Sequence, residues 1–301
     1  MSGSHTFEGL NVALATPFLP DGKIDLPNFR KLVQHVVSGG VDVLIPLGST
    51  GEAATIADSE RDELIKAALE EASGKPVVVG CGSNNTVQAI AWVKRAKELG
   101  AQGALVVTPP YSKPTLTGLV AHFKAITDAV PGFPIILYNV PSRTGQNITP
   151  AMLNELWKNP QIVAVKESSG NVAQIAEIAR TLPAGKTLLC GDDNLALPAI
   201  AVGASGLVSV LGNALPAETK ALVEAARAGR RDDAIKIHQQ LLPFIDALFV
   251  ESNPIPLKAV LHSMGIGGDF VRLPLAPASA ETRAKLEATL KAAQFKAPAH
   301  A

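Results

Sequence analysis

Short runs of Val, Ile and Leu recur along the 301-residue chain, and between them apolar positions return every three or four residues. Apolar runs without alternation are the mark of strands buried on both faces, and the longer stretches have the period of amphipathic crossover helices. Eight runs occur: NVALATPF (11–18), VDVLIPLG (41–48), PVVVGCG (76–82), GALVVTPP (103–110), PIILYNVP (134–141), IVAVKESS (162–169), TLLCGDD (187–193) and GLVSVLGN (206–213). Among the helical segments, DSERDELIKAALEEA (58–72) offers Asp58 or Ser59 as a first-turn cap, and TVQAIAWVKRAKELG (86–100) ends on a glycine suited to a C-cap. Eight strand–helix units spaced by about 20 to 35 residues predict an α/β fold of the closed (β/α)8 barrel type. A doubly wound sheet is the competing architecture, but no GxGxxG turn follows ALATPF.

Four more helical patterns follow the eighth run: PAETKALVEAARAG (216–229), RRDDAIKIHQQLLPFIDALFV (230–250), PIPLKAVLHSMG (254–265) and ASAETRAKLEATLKAA (278–293). One barrel helix does not account for them. They predict a barrel catalytic domain over 7–226 and a C-terminal helical domain over 227–296.

Composition narrows the function. A chain of this length with 47% hydrophobic residues buries a full core. Lys+Arg and Asp+Glu both number 27, so no charge excess steers the protein to nucleic acid or an acidic membrane, and small molecules are the expected partners. No run of 18 apolar residues occurs, and MSGSHTFEG lacks the plan of a signal peptide, so a soluble cytoplasmic protein is expected. Cys81 and Cys190 sit in apolar runs without a CxxC spacing and read as buried free thiols. The six histidines are scattered, so neither a metal nor another cofactor is expected. Asp192 and Asp193 read instead as caps of the next helix.

In a (β/α)8 barrel the chemistry lies at the C-terminal ends of the strands. That filter selects Ser49-Thr50-Gly51-Glu52, Tyr111, Tyr138, Arg143, Lys166 and Gly191-Asp192-Asp193. Alternation places Ile162, Ala164 and Lys166 on one face, the barrel interior. Removing an amine from water favours its uncharged, nucleophilic form, whereas a neighbouring carboxylate such as Glu52 or Asp192 would make a structural ion pair; position alone leaves both open. The chain has only two tyrosines, and both, Tyr111 and Tyr138, fall at strand ends, where phenols can relay protons and Ser49 can bridge them. The GSTGE turn offers N–H groups and hydroxyls to an anion, although it lacks a phosphate-loop signature. Arg143 is by itself either a carboxylate clamp or a solvated loop residue.

GSTGE (48–52), TPPY (108–111), YNVPSRTG (138–145), VKESSG (165–170), GDD (191–193) and ESNPIPLK (251–258), taken in order, resemble the family of dihydrodipicolinate synthases and N-acetylneuraminate lyases. The resemblance runs from about residue 7 to 293. It implies a pyruvate imine on Lys166, proton relay by Tyr138, Ser49 and Tyr111, and a Tyr111 lent by a neighbouring subunit of a homotetramer. It further implies that Thr50 holds the pyruvate carboxylate, that Gly191 and Val208 line the pocket, and that Arg143 receives the carboxylate of aspartate semialdehyde. The implied reaction gives 4-hydroxy-tetrahydrodipicolinate, on the route to diaminopimelate and lysine. The alternative is a relative acting on a sugar acid, N-acetylneuraminate or 2-keto-3-deoxygluconate. Ser49 stands where the synthases commonly have threonine, which keeps that alternative open. Arg61, Gln88 and Pro110 replace the histidine, glutamate and tyrosine of lysine-inhibited members, with only Asn84 kept, so weak or absent lysine inhibition is expected.

Overall fold

The computed structural model describes residues 7–292. Its eight parallel strands are β1 (Gly9–Ala13), β2 (Val43–Ile45), β3 (Val78–Gly80), β4 (Gly103–Val107), β5 (Ile135–Asn139), β6 (Ile162–Glu167), β7 (Thr187–Cys190) and β8 (Gly206–Ser209), each within a predicted run except the first residues of β1. They are ordered β2-β1-β8-β7-β6-β5-β4-β3, and a parallel bridge between Leu44 and Val77 joins the two ends into a cylinder. Around it lie α1 (Leu26–Ser38), α2 (Asp58–Glu71), α3 (Thr86–Glu98), α4 (Leu116–Ala129), the single turn α5 (Pro141–Thr144), α6 (Pro150–Leu156), α7 (Val172–Thr181), α8 (Ala196–Ala201) and α9 (Pro216–Arg227).

The runs lack alternation because both strand faces are covered. Ala13, Val43, Ile45, Val78, Leu105, Ile136, Ala164, Leu189 and Val208 fill the cylinder. Leu10, Val12, Leu44, Val79 and Val165 face outward and join the apolar sides of the helices. At β6 the alternation slips. Ile135 pairs with Ile162 but Ile136 pairs with Ala164, so Val163 is an extra residue. Ile162 therefore packs in the outer layer, contrary to the simple alternation, while Ala164 stays inside. The slip lies before Lys166, whose strand partner is Tyr138 on β5.

The start of α2 also differs from expectation. The capping position is Ala57, whose N–H donates to the Glu60 carboxylate at 2.9 Å, and Asp58 is already helical. The Asp58 carboxylate instead accepts from Trp92 Nε1 at 2.7 Å, tying α2 to α3. Gly100 does follow α3 in a left-handed conformation (φ 98°), as a C-terminal glycine should.

Beyond α9 come α10 (Arg231–Leu248), α11 (Ile255–Ser263) and α12 (Ala280–Ala292), which pack on one another, with α10 also on α9. Residues 293–296 of the predicted C-terminal segment lie outside the described residues. The segment leading into α11, and the loop after it, reach the mouth of the barrel, so this region contributes to the site.

Candidate active site

Lys166 lies near the end of β6 and is 5% exposed. Its Nζ stands 4.1 Å from the centroid of the Tyr138 ring, an arrangement set by their in-register pairing. Among the described residues it forms no ion pair with a carboxylate. Glu52, one possible partner, is bonded to Lys258 at 2.5 Å. Asp192, the other, is pushed up to about 6, because burial outweighs the nearby Lys166 charge. A carboxylate locked in a salt bridge would move the other way.

Gly191, just past β7, makes room for this lysine. A Cβ there would stand 2.7 Å from Lys166 Cε and 1.9 Å from Ser168 Oγ. No larger residue fits without moving the amine's stem. Val208, fully buried in β8, belongs to the apolar filling of the cylinder. Asp193 does not cap the following helix. It accepts from Ser209 Oγ at 2.5 Å and from the N–H groups of Val210 and Leu211 at 2.9 and 3.1 Å, tying the end of β7 to the turn after β8. Asp192 stands at the capping position of the next single turn but makes no capping bond.

In front of Tyr138 opens a cavity of about 350 Å³ whose polar lining includes Ser49, Glu52, Arg143, Thr144 and Asn253. Tyr138 lines this cavity and carries the lysine amine on its ring face. The GSTGE turn closes on itself through Gly51 N to Gly48 O (3.1 Å) and Glu52 N to Ser49 O (3.1 Å), which leaves the Ser49 and Thr50 N–H groups out of the turn's own bonds. Thr50 is buried and its Oγ1 accepts from Asn253 Nδ2 at 2.9 Å. Ser49 is on the exposed rim.

The turn is pinned from beneath. Glu52, in a left-handed conformation (φ 54°), accepts from Lys258 Nζ and, at 3.0 Å, from the Arg272 N–H. Lys258 is 1% exposed, donates also to Phe270 O at 2.6 Å and lies 3.9 Å from the Phe18 ring centroid. Burial pulls its pKa down to about 8 against the opposing pull of Glu52. Arg143, on α5, is exposed and donates through Nη2 to Asn253 O at 3.2 Å.

The structure brings together Lys166, Tyr138, Gly191 and Val208 in the barrel, and Ser49, Thr50 and Arg143 at its mouth. Tyr111 is not brought in. It is 90% exposed, has a positive φ of 70°, and its N–H bonds to Thr144 O at 3.2 Å. No direct hydrogen bond links Ser49 to Tyr138 among the described residues, so the bridge from Tyr138 through Ser49 to Tyr111 is not closed within one chain. Sequence reasoning missed Asn253 and Lys258 as site residues, although both lie in the ESNPIPLK motif. A lysine on an otherwise apolar helix face was the available signal.

Arg61 is buried, donates through Nη2 to Gly80 O at 2.5 Å and lies 4.0 Å from the Trp92 ring centroid, while Gln88 reaches Asp58 at 3.4 Å. Cys81 and Cys190 are free and buried. Among the described residues no three His, Cys, Asp or Glu side chains gather as a metal site would require.

Fold and site together define a (β/α)8 barrel enzyme built around a buried lysine that has no counter-ion among the described residues. The model of the dihydrodipicolinate synthetase family matches residues 6–293, and the chain belongs to that family. A 4-hydroxy-tetrahydrodipicolinate synthase from an Exiguobacterium species is 47% identical over 281 residues, 93% of this chain and 96% of that one. The crystal structure of a chloride-inhibited dihydrodipicolinate synthase from Acinetobacter baumannii complexed with pyruvate superposes with a TM-score of 0.93 at 38% identity, covering 96% of this chain and 99% of that one. The lysine-bound enzyme of Cyanidioschyzon merolae gives 0.92 at 38% identity, again over 96% and 99%.

Proposed function

We propose that this chain is a lyase that condenses pyruvate with L-aspartate 4-semialdehyde to 4-hydroxy-tetrahydrodipicolinate, a step of lysine and diaminopimelate biosynthesis. The observation that carries this reading is the buried, unpaired amine of Lys166 on the face of Tyr138, with Gly191 clearing the space beside it. The amine adds to the pyruvate ketone, and loss of water leaves an imine. Loss of a methyl proton turns the imine into an enamine, whose carbon attacks the aldehyde. The substrate's own amine then attacks the imine carbon, closes the ring and frees Lys166. Each stage moves a proton, which is the work of Tyr138, Ser49 and Tyr111.

The Ser49 and Thr50 N–H groups, left out of the turn's bonding, and the Thr50 hydroxyl hold the pyruvate carboxylate. Arg143 receives the carboxylate of the aldehyde, a role suited to its place on the cavity rim. Gly191 and Val208 shape the floor. An exposed tyrosine held at a positive φ is suited to completing the site of a second chain, as in a homotetramer of tight dimers. The helices after residue 226 act as a C-terminal unit that closes the mouth. No helix among the described residues is long and apolar enough to cross a membrane, and cytoplasmic residence fits the small-molecule substrates.

Steady-state rates test the reading. Turnover of pyruvate with aspartate semialdehyde is expected to exceed cleavage of N-acetylneuraminate or 2-keto-3-deoxygluconate by at least about 100-fold in kcat/KM. A sugar acid as the better substrate would overturn it.

A further inference from the structure

Immediately after Lys166 stands a carboxylate that the steps above do not use. Glu167 is fully buried and, among the described residues, pairs with no cation. Alternation turns it to the outer face of β6, away from the lysine amine, as it turns Asn139 on β5 away from Tyr138. There its Oε2 accepts from Asn139 Nδ2 at 2.9 Å, and its Oε1 accepts from the Ser169 N–H at 2.8 Å and from Gln174 Nε2 at 3.2 Å. Burial pushes the Glu167 carboxyl above its ordinary value against the opposing pull of these donors, so the group is kept at a cost.

The polarity of each of these bonds is fixed by something else. The Ser169 donor is backbone. Asn139 must point its nitrogen at Glu167, because its Oδ1 accepts from the Ile148 N–H at 2.9 Å. Gln174 Nε2 also reaches the Ile148 carbonyl at 3.3 Å, which sets that amide the same way round. Three donors therefore converge on one side chain, and only an acceptor at both oxygens satisfies them all.

The place of this cluster explains its use. The bulge at Val163 shifts the pairing of β5 with β6, and a slip of one residue would turn Lys166 out of the barrel. Asn139 and Glu167 are the pair directly beyond Tyr138 and Lys166, and their side chains lock the register at that end. The Ser169 bond also shapes the turn that sets Ser168 against Gly191, the residue that makes room for the amine.

We infer that Glu167 and Asn139 are positioning residues for imine formation: their bond on the outer face of the barrel holds the Lys166 amine over the Tyr138 ring on the inner face. The inference rests on the reading of Lys166 as the nucleophile toward pyruvate.

The test reverses the bond. Glu167→Gln keeps the size of the side chain and sets a donor against a donor. The initial rate at which a borohydride-trapped pyruvate adduct forms is expected to fall about 30-fold or more, and kcat with it, while KM for pyruvate stays within about threefold because the GSTGE turn is untouched. Adding Asn139→Asp exchanges donor and acceptor across the same contact. The Ile148 and Ser169 N–H groups keep their acceptors, and the exposed Asn147, which accepts from Asn139 Nδ2 at 2.8 Å, can turn its amide over. The double variant is expected to recover the trapping rate to within about fivefold of the unmodified chain.

A lowered Tm with an unchanged trapping rate per folded chain in Glu167→Gln would reduce the pair to a stabilising contact and overturn the inference. So would a double variant no faster than the single one. If Glu167→Gln fails to fold, Asn139→Ala takes its place, with a trapping rate expected to fall about tenfold and an unchanged rate overturning the inference. Trapping needs pyruvate alone. An unmodified chain that traps pyruvate on Lys166 but does not turn over aspartate semialdehyde would therefore sink the proposed condensation and leave the positioning roles standing, whereas one that traps nothing there would overturn both.

Discussion

Two buried lysines sit at the mouth of this barrel, and their surroundings differ in one respect. Each amine lies over an aromatic ring, Lys166 over Tyr138 at 4.1 Å and Lys258 over Phe18 at 3.9 Å. Lys258 is also bonded to the Glu52 carboxylate and the Phe270 carbonyl, so its charge is paired and its task is to hold the GSTGE turn. Among the described residues Lys166 has the ring and no carboxylate partner. Burying an amine without a counter-ion is costly, and a fold keeps such a group only where a ligand completes it. Burial alone therefore does not mark a catalytic lysine; the missing partner does.

Replacing each lysine in turn breaks the comparison most sharply. Lys166→Ala is expected to lower kcat by at least about 1,000-fold with little change in Tm, since it removes a nucleophile whose amine has no ion-pair partner. Lys258→Met is expected to do the reverse in emphasis, costing about 3–5 kcal/mol of stability by leaving the buried Glu52 carboxylate without its counter-ion, with Lys166 still able to react. Denaturant unfolding and steady-state kinetics on both variants check the pair; similar stability losses from both would erase the distinction.

Gly191→Ala comes next. A methyl group 2.7 Å from Lys166 Cε must displace the amine, so kcat/KM for pyruvate is expected to fall about 100-fold, against a stability loss of about 1–3 kcal/mol from overpacking. An unchanged kcat/KM would show that the lysine has room to spare.

Asp192 sharpens the comparison through pH. Its pKa lies near 6 in the folded chain, above its usual value of 3.8. The folded state therefore binds this proton more tightly, and the group's contribution to stability is complete below pH 4 and is lost as pH rises through 6. Asp192→Asn removes that loss. The variant is expected to be about 1–3 kcal/mol more stable at pH 7 and indistinguishable near pH 3.5, as thermal unfolding at the two pH values would show. Destabilisation at pH 7 would instead reveal a true ion pair with Lys166.

The smallest effect is expected from free lysine. Arg61 is already committed to the Gly80 carbonyl and the Trp92 ring, and Pro110 supplies no phenol. Half-inhibition is expected only above the millimolar range, and a sub-millimolar inhibition curve would contradict this.

Much of the barrel can be read from the chain because a strand covered on both faces must be apolar throughout, and eight such runs leave few architectures. Ile162 was misplaced because a bulge at Val163 changes pairing without changing hydrophobicity. Asp58 was misread as a cap because Glu60 does that work and Trp92 claims the Asp58 carboxylate. Lys166 was legible as a charge ending an apolar run. Asn253 and Lys258 were not, since their importance depends on α11 packing against a turn some 200 residues earlier. Tyr111 was legible as a strand-end phenol, but its outward direction is a property of the loop backbone that residue type does not reveal.

The most direct measurement is borohydride reduction in the presence of labelled pyruvate, followed by peptide mapping. The account predicts one stable adduct per chain, on the peptide that carries Lys166, and none on the peptide that carries Lys258. Label on any other lysine, or no label at all, would contradict it.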